Sequence, residues 1–299
     1  MKNDVILLDG GMGQELYRRG LKGDQELWSA NALLSDAHIV QDIHTEFIDA
    51  GAQVITTNSY CTHPGRLSRA GMGEHLKSLN DIAGYVAREA CNKSSRKGVL
   101  VAASIPPQYS FRPDIVFGEA QMFDEYAQMV ELLNPYVDLF LCETMTNAAE
   151  AYTATSACAV TGKPVWCAWT FKDDASGLLR SDEDIVSAVE RLKGIKIDAF
   201  LANCCTPESV TKVIEILHDL FDGDDTRRHI GGYANGFTPI PPQWDPGDIE
   251  TLGVRPHLTP QAYTEFAMEW VAQGASIVGG CCEISPAHIR AIYEALNAL

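Results

Sequence analysis

The sequence predicts a single-domain (β/α)8 TIM barrel of the α/β class over residues 1–299. Short apolar runs alternate with longer amphipathic stretches along the whole chain, and eight such pairs can be counted. The apolar runs are continuous rather than alternating, which indicates parallel strands buried on both faces of a sheet. Eight strand-plus-helix units in 299 residues have the size and rhythm of such a barrel.

Each predicted strand is an apolar run that stops at glycine or a polar residue, and each predicted helix is an amphipathic stretch between two strands. The predicted strands cover residues 5–8, 54–57, 99–103, 137–142, 165–169, 197–202, 229–234 and 276–278. The predicted helices cover residues 35–50, a stretch that ends near 92, 119–133, 148–160, 182–193, 207–220, 260–273 and 286–296.

An open, doubly wound sheet is the alternative to a barrel. Dinucleotide-binding sheets of that kind carry Gly-x-Gly-x-x-Gly after the first strand, whereas this chain has Asp-Gly-Gly-Met-Gly at 9–13, which lacks the spacing. A Gly/Pro-rich stretch at 231–256 interrupts the rhythm and is interpreted as a long loop after the seventh strand. No repeat, low-complexity tract or linker indicates a second domain.

The composition argues against several classes of protein. The formal net charge is -17 and no Lys- or Arg-rich run is present, so we expect no nucleic-acid partner. No segment approaches the roughly 20 apolar residues of a membrane helix, and the first residues do not resemble a signal peptide. We therefore expect a soluble, cytoplasmic protein without membrane contact. Nine scattered cysteines suit a reducing compartment, with packing or metal-binding roles.

Two apolar runs end in cysteine, and together they predict a metal centre. The last strand ends in Gly-Gly-Cys-Cys at 279–282, and the sixth ends in Asn-Cys-Cys at 203–205. Glycine reaches backbone angles that other residues avoid, so the two glycines would let the strand break and both thiols turn toward one ion. Three thiolates leave a fourth position open, which is the coordination of catalytic zinc. Packing of buried thiols and a redox pair are the alternatives.

Active sites of these barrels lie at the C-terminal ends of the strands. Asp9 is followed by two glycines whose amides can approach a carboxylate ligand, and Glu143 closes a strongly apolar strand. For either acid alone, helix capping is the alternative role. The residues at the predicted strand ends are Asp9, Thr57, Ser104, Glu143, Thr170, Asn203, Cys204, Asn235, Cys281 and Cys282.

Three motifs resemble the zinc-dependent homocysteine S-methyltransferases. This family includes S-methylmethionine- and betaine-using enzymes and the homocysteine domain of cobalamin-dependent methionine synthase. The stretch Asp-Gly-Gly-Met-Gly-Gln-Glu-Leu at 9–16 is similar to the opening signature of the family. Asn203-Cys204 is similar to its first zinc-ligand motif, and Gly-Gly-Cys-Cys at 279–282 to its second. The resemblance covers essentially the whole chain and implies a homocysteine-binding barrel domain.

The resemblance implies an enzyme that transfers a methyl group from a small onium donor, S-methylmethionine or a similar compound, to the thiol of homocysteine, giving methionine. Cys204, Cys281 and Cys282 would bind Zn²⁺, and Cys205 would not. The implied substrate-binding residues are Asp9 and Glu143 for the amino group, Gly11 and Thr57 for the carboxylate with Gly10 beside them, and Asn203 in the wall of the site.

The chain departs from the family patterns in loops on the donor side. It has Ser-Ile-Pro-Pro-Gln-Tyr at 104–109 where S-methylmethionine users have Gly-Pro-Tyr-Gly, and Tyr-Ala-Asn-Gly-Phe at 233–237 where Pro-Asn-Ser-Gly is usual. Glu-Ile-Ser at 283–285 also replaces the common Gly-Thr-Thr. The donor therefore stays open between S-methylmethionine, betaine, another sulfonium and a methylated folate. Loop aromatics that would surround an onium group by cation–π contact are Tyr60, Tyr109, Phe111, Phe237 and Trp244.

Two other classes of function remain as alternatives. A barrel hydrolase or lyase with zinc-activated water would use His or carboxylate ligands as well as cysteine, yet none of the eight histidines lies at the C-terminal end of a predicted strand. A metal or thiol sensor based on Cys281 and Cys282 would not need Asp9 and Glu143 beside the metal. The sequence leaves the oligomeric state open, a homo-oligomer included.

Overall fold

The computed structural model describes residues 5–21, 27–109, 111–115, 117–223, 228–241 and 252–299. The strands in these ranges are β1 (Ile6–Leu7), β2 (Val54–Thr56), β3 (Leu100–Ile105), β4 (Leu139–Met145), β5 (Val165–Trp169), β6 (Ala199–Asn203), β7 (His229–Tyr233) and β8 (Ile277–Val278). The α-helices are α1 (Met12–Arg18), α2 (Asn31–Ser35), α3 (Ala37–Ala50), α4 (Pro64–Arg69), α5 (Leu76–Lys93), α6 (Glu119–Leu133), α7 (Ala148–Ala159), α8 (Ile185–Arg191), α9 (Pro207–Phe221), α10 (Pro260–Ala272) and α11 (Pro286–Asn297). No helix within the described ranges combines the length and the apolar character that crossing a lipid bilayer requires.

The eight strands form one closed parallel barrel. Each strand from β2 to β8 pairs with its neighbour in sequence, and β8 pairs with β1 through Ile277 and Ile6. A parallel bridge between Leu8 and Val54 joins the first strand to the second and closes the ring. The predicted (β/α)8 barrel is confirmed.

The barrel interior is an apolar core that lies beneath the C-terminal mouth. Successive side chains of a strand point alternately into the barrel and toward the surrounding helices. Leu141 of β4 and Leu201 of β6 point inward, and the next inward positions on these strands carry Glu143 and Asn203. A polar layer therefore follows directly above the apolar one. The interior cluster contains Leu8, Val54, Ala102, Leu139, Leu141, Trp166, Ala168, Ala199, Leu201, Tyr233 and Ile277.

Several cysteines belong to the larger cluster between the strands and the helices. Cys142, Cys158 and Cys167 are fully buried there, with 3.6 Å between the sulfur atoms of Cys142 and Cys158. Burial raises the pKa values of Cys158 and Cys167 well above the ordinary range of a thiol. These thiols pack as small apolar side chains, which matches the packing role predicted for part of the cysteine set.

The structure differs from the predicted elements at two places near the mouth. The predicted fourth strand, 137–142, is displaced, because β4 runs to Met145 and Glu143 lies within it. The register between β4 and β5 shifts after Cys142, and Thr144 has a φ of 60°. Helix α1 follows the first strand, where no helix was predicted, since its seven residues are too few for an amphipathic repeat to be recognised.

The long loop predicted at 231–256 folds back across the mouth where the structure describes it. Phe237 and Val254 form an antiparallel bridge, and Thr238 N donates to the carbonyl of Gly253 at 2.7 Å. Residues 242–251 lie outside the described ranges. The described part places Phe237 over the strand ends, where it lines the cavity discussed next.

Candidate metal and amino-acid site

A cavity opens at the C-terminal mouth of the barrel. Its wall is formed by the ends of strands β1 to β4 and β6 to β8 and by the residues that follow them. The three thiols of the predicted metal centre line this cavity together with Asp9 and Glu143. Thr170, at the end of β5, is fully buried and is not part of the wall. Asn203 and Asn235 are also fully buried outside the wall, whereas the other seven residues predicted at the strand ends line the cavity.

Cys204, Cys281 and Cys282 converge on one side of the cavity. Cys204 follows β6 in a left-handed conformation with a φ of 50°, and its amide donates to the carbonyl of Tyr233 at 3.2 Å. Cys281 and Cys282 follow β8, and the amide of Cys281 donates to the carbonyl of Ala234 at 2.9 Å. The three Sγ atoms lie within 4.8 Å of one another, with 4.0 Å between those of Cys204 and Cys282.

This thiol cluster fits a tetrahedral metal ion with three sulfur ligands. Zn–S bonds of about 2.3 Å place the sulfur atoms of a tetrahedral site about 3.8 Å apart, close to the 4.0 Å between Cys204 and Cys282. Hydrogen bonds from Cys281 and Cys282 lower the pKa of Cys204 well below its ordinary range, whereas hydrogen bonding with Cys204 raises the pKa values of both partners. Without a metal, the cluster thus favours the ionised form of one thiol. A bound cation would favour the ionised form of all three.

Gly279 and Gly280 are required for a reason that differs from the predicted one. Neither has a positive φ, so the strand end does not depend on their conformational freedom. A Cβ at Gly279 would lie 2.4 Å from Cβ of Leu8, and a Cβ at Gly280 would lie 2.1 Å from Cγ2 of Ile284. The two glycines allow the close approach of neighbouring segments that brings the cysteine pair into the mouth.

Glu283 ties the cysteine loop to helix α1. This residue, which departs from the family pattern, has a φ of 67°. Its carboxylate accepts hydrogen bonds from Nε2 of Gln14 at 2.5 Å and from Nη2 of Arg18 at 2.6 Å. Arg18 also pairs with Glu15 on the same helix. The loop that carries Cys282 is therefore held to α1 by charged side chains as well as by its backbone.

Asp9 follows β1 at the base of the cavity and is only 3% exposed. Its Oδ2 accepts a hydrogen bond from the amide of Thr56 at 2.7 Å, and Oγ1 of Thr56 lies 3.2 Å away. Burial raises the pKa of this carboxyl to about 8, and the negative charge of Glu143 adds to the rise. Asp9 is therefore an acid whose ionisation costs free energy until a cation accompanies it.

Glu143 is the second acid of the cavity and is 9% exposed. Ser104 donates its hydroxyl hydrogen to Oε1, and Tyr233 donates to Oε2 at 3.1 Å. Burial raises the pKa of Glu143 to about 7, although these two hydrogen bonds act in the opposite direction. A pair of buried carboxyls with raised pKa values is suited to binding an ammonium group, since the cation restores the ionised form of both.

Replacing Asp9 by asparagine is expected to stabilise the protein at alkaline pH. The pKa of Asp9 is about 8 in the folded state, against 3.8 for an ordinary aspartate in water, so the folded state favours the protonated form. The stability that the folded protein gains from keeping Asp9 protonated is fully present below about pH 4. It is lost as the pH rises through about 8. We expect calorimetry without added amino acids to give a melting temperature about 5 °C higher for Asp9→Asn at pH 8.5, with a much smaller gain at pH 5. An equal gain at both pH values would contradict the raised pKa.

Asn203 and Thr57 are engaged by neighbouring protein groups. Asn203 is fully buried outside the cavity wall, where its Oδ1 accepts from the amide of Thr144 at 2.8 Å and its Nδ2 donates to Oγ1 of Thr144 at 2.9 Å. Thr57 lines the cavity, but its Oγ1 accepts from the amide of Ser104 at 3.0 Å. Its hydroxyl hydrogen goes to Ser59, because Ser59 donates its own to the carbonyl of Ser104. Both side chains therefore position strand ends.

Gly10 and Gly11 bring the first loop close to the segment after the cysteine pair. A Cβ at Gly10 would lie 2.2 Å from the carbonyl oxygen of Ile284, and a Cβ at Gly11 would lie 2.8 Å from that of Cys281. The amide of Gly11 already donates to Ile284 at 2.9 Å. Both glycines line the cavity, and their lack of a side chain lets the first loop pack against the backbone that carries the cysteine pair.

Sequence reasoning did not assign several polar residues of the cavity wall to the site, among them Tyr233 and Arg66. The alternation of side chains along β7 could have identified Tyr233 as inward-facing. Arg66 lies on α4, well beyond the end of β2, and no local pattern marks it. The aromatic residues of the predicted onium cage that line the cavity are Tyr60, Phe111 and Phe237. Tyr109 is not part of the wall, and Trp244 lies outside the described residues.

Comparisons with known proteins extend over nearly the whole chain. A family model described as homocysteine S-methyltransferase matches residues 6–296. Homocysteine S-methyltransferase 3 of Arabidopsis thaliana is 27% identical, with 97% of this chain and 89% of the relative covered. Selenocysteine methyltransferase of Astragalus bisulcatus is also 27% identical, with 98% and 93% covered. The metallated form of the homocysteine methyltransferase MmuM from Escherichia coli has a TM-score of 0.80 and 25% identity, with 98% and 97% covered.

Proposed function

The chain belongs to the homocysteine S-methyltransferase family and is a methyltransferase, and we propose that it acts with zinc on the thiol of homocysteine. The methyl group would come from a small onium donor, S-methylmethionine or a related compound. The observation that carries this proposal is the meeting of three thiols with two buried carboxyls in one cavity. A thiol-binding metal and ammonium-binding acids are the groups that an amino acid with a side-chain thiol requires.

Cys204, Cys281 and Cys282 would hold the zinc ion. Thiolates are ligands that Zn²⁺ accepts well, and three of them leave a fourth position for a substrate thiol. When bound, zinc supplies the deprotonation of that thiol at neutral pH and so makes its sulfur a nucleophile. Cys205 is fully buried in the outer core, where burial raises its pKa, and would not bind the ion.

Asp9 and Glu143 would bind the amino group of homocysteine. Each accepts hydrogen bonds from protein groups that fix its orientation: Thr56 holds Asp9, whereas Ser104 and Tyr233 hold Glu143. An ammonium group between the two carboxylates favours their ionised forms. Its attraction to the carboxylates compensates for most of the hydration energy that it loses on entering the cavity. With its thiol and its amino group both bound, the acceptor would have one orientation in the cavity.

The donor would occupy the rest of the cavity, where Tyr60, Phe111 and Phe237 line the wall. Aromatic faces attract an onium group electrostatically without hydrogen-bonding to it. The acceptor sulfur would bond to the methyl carbon as the bond between that carbon and the donor sulfur breaks. The donor sulfur keeps the electron pair of the broken bond, so a sulfonium leaves as a neutral thioether and homocysteine becomes methionine.

We expect one zinc per chain in protein purified under reducing conditions, and homocysteine-dependent formation of methionine with a sulfonium donor. Metal analysis is combined with a donor panel of S-methylmethionine, betaine and a methylated folate. Selenocysteine is added as a second acceptor, because one relative is named as a selenocysteine methyltransferase. Folded, fully reduced protein without zinc, or without methyl transfer from any of these donors, would refute the proposal.

A further inference from the structure

The loop after β5 lies behind the cavity wall, against the segment that carries Cys204. None of the residues of β5 lines the cavity. After this strand the chain folds back on itself, and Phe171 pairs with Leu179 in an antiparallel bridge. The fold brings Arg180 next to Asp173, seven residues earlier in the chain. Two charged residues that do not line the cavity are therefore placed together directly behind it.

Asp173 and Arg180 form a buried ion pair. Their side chains are 4% and 7% exposed, and Nη2 of Arg180 donates to Oδ2 of Asp173 at 3.1 Å. The carboxylate also accepts hydrogen bonds from the amides of Thr206 and Ile240, both at 2.8 Å. Such additional hydrogen bonds are what a buried ion pair needs to offset its lost hydration. Asp173 is therefore fixed to the segments that follow β6 and β7.

Arg180 is connected to Cys204 through Thr170, which is fully buried. Nε of Arg180 donates to Oγ1 of Thr170 at 3.1 Å, and this hydroxyl donates its own hydrogen to the carbonyl of Cys204 at 3.2 Å. Thr170 and Asp173 thus bind the first and the last residue of the segment 204–206, and the guanidinium joins them to each other. Thr170, Asp173 and Arg180 are named the β5 support.

The backbone of Cys204 has a conformation that depends on its surroundings. Its φ of 50° lies in the left-handed region, which a residue other than glycine keeps only where neighbouring contacts determine it. On the β7 side, the amide of Cys204 donates to Tyr233 and the carbonyl of Cys205 accepts from Asn235. These backbone contacts do not depend on side-chain identity, whereas the contacts on the β5 side come from side chains. The β5 support is therefore the part of these surroundings that the choice of residues specifies.

We infer that the β5 support positions the thiol of Cys204 for the metal ion and so sets the affinity for zinc. The inference rests on the proposed function, which requires an ion at the three thiols. The sulfur of Cys204 must meet two sulfur atoms that follow a different strand, so its place depends on how the segment 204–206 is held. Contacts that orient a ligand raise metal affinity without touching the ion. The three residues of the β5 support are therefore positioning residues.

The test compares Thr170→Val with Thr170→Ser. Valine has nearly the shape of threonine without the hydroxyl, whereas serine keeps the hydroxyl and lacks the methyl group. Thr155→Val is the matched control, because Thr155 is also fully buried and donates its hydroxyl hydrogen to a carbonyl, that of Ala151 at 2.7 Å, but lies on α7 outside the cavity wall. The zinc affinity of the reduced full chain is measured by competition with a chelator of known affinity.

We expect Thr170→Val to weaken zinc binding about 10- to 100-fold. Thr170→Ser and Thr155→Val should both stay within about threefold of the wild type, since neither removes a contact to the ligand segment. Arg180→Lys is a second variant: it keeps the charge beside Asp173 but lacks the planar fork that reaches Thr170 at the same time. It should weaken zinc binding in the same direction. Melting temperatures establish that each variant is folded.

Amide hydrogen exchange in the metal-free, reduced protein tests the β5 support without zinc. The amides of Cys204 and Thr206 are both hydrogen-bonded, so they exchange only when the segment opens. We expect both amides to exchange about 10-fold faster in Thr170→Val than in the wild type. Their rates should be unchanged in Thr155→Val.

Wild-type zinc affinity in both Thr170→Val and Arg180→Lys would overturn the inference. An equal loss in Thr155→Val, or a loss that Thr170→Ser shares, would also overturn it, because the effect would then be one of general stability or packing. Protein that binds zinc but transfers no methyl group would refute the proposed function, and the affinity comparison would still decide the role of the β5 support. If the wild type bound no zinc, the proposed function would fail, and amide exchange would decide whether the β5 support holds this segment.

Discussion

Replacement of Cys204 by alanine is expected to remove the bound zinc and to abolish methyl transfer. Cys204 supplies the one thiol of the cluster that comes from β6, so its loss leaves two sulfur ligands on a single loop. Loss of a partner outside the ligand set already costs about 10- to 100-fold in metal affinity, so loss of a ligand should exceed about 100-fold. Metal analysis of reduced protein and the rate of methionine formation measure the two effects.

Cys205→Ala is the matched control for this experiment. Cys205 is the next residue in the chain, but it is fully buried in the outer core rather than in the cavity wall. We expect this variant to keep one zinc per chain and to lose about 1 kcal/mol of stability because a small apolar contact is deleted. Full zinc occupancy in Cys204→Ala, or its loss in Cys205→Ala, would contradict the assigned ligands.

Replacement of Glu143 by glutamine is expected to raise the KM for homocysteine about 10- to 100-fold, because a charge-assisted hydrogen bond to the amino group is lost. Glutamine keeps the size of the side chain and can still accept hydrogen bonds through one oxygen. Zinc content should therefore be unchanged, which separates this effect from damage to the metal centre. Steady-state kinetics with homocysteine as the varied substrate give the measurement.

The same variant should alter the pH dependence of amino-acid binding. The pKa values of Glu143 and Asp9 are raised to about 7 and about 8, so both acids lose protons as the pH rises from 6 to 8.5. An ammonium ligand binds the ionised pair, and its affinity should therefore increase over this range in the wild type. Methionine, which lacks a thiol proton, is the suitable probe. We expect a shallower increase in Glu143→Gln; an unchanged slope would exclude Glu143 as the titrating group.

Glu150→Gln is a control for the loss of a buried carboxylate. Glu150 is 4% exposed on α7 and accepts hydrogen bonds from the amides of Gln108 and Thr146, outside the cavity wall. We expect this variant to have a lower melting temperature and an unchanged KM for homocysteine. A rise in KM comparable to that of Glu143→Gln would show that the effect is not specific to the cavity.

The sequence by itself determined the fold class and the convergence of the two acids and three thiols at one mouth. Apolar runs and amphipathic stretches are local properties, and eight pairs of them allow few architectures other than a closed barrel. Once the strands are parallel, their C-terminal ends must share one face. The approximate convergence of Asp9, Glu143, Cys204 and the Cys281-Cys282 pair then follows from their positions at the ends of apolar runs.

Only the tertiary structure decided what each polar group faces. Asn203 accepts a hydrogen bond from the amide of Thr144, 59 residues away in the chain. Glu143 accepts one from the hydroxyl of Tyr233, 90 residues away. Such contacts depend on which strands are neighbours and on how far along the barrel axis each side chain lies. Neither property is encoded in a local sequence pattern. Arg66 lines the cavity from a helix that lies beyond the strand end. At such a position, the place of a residue in the sequence does not predict whether its side chain reaches the cavity. Hydrogen bonding across the barrel therefore separates the groups that face a ligand from those that support the wall.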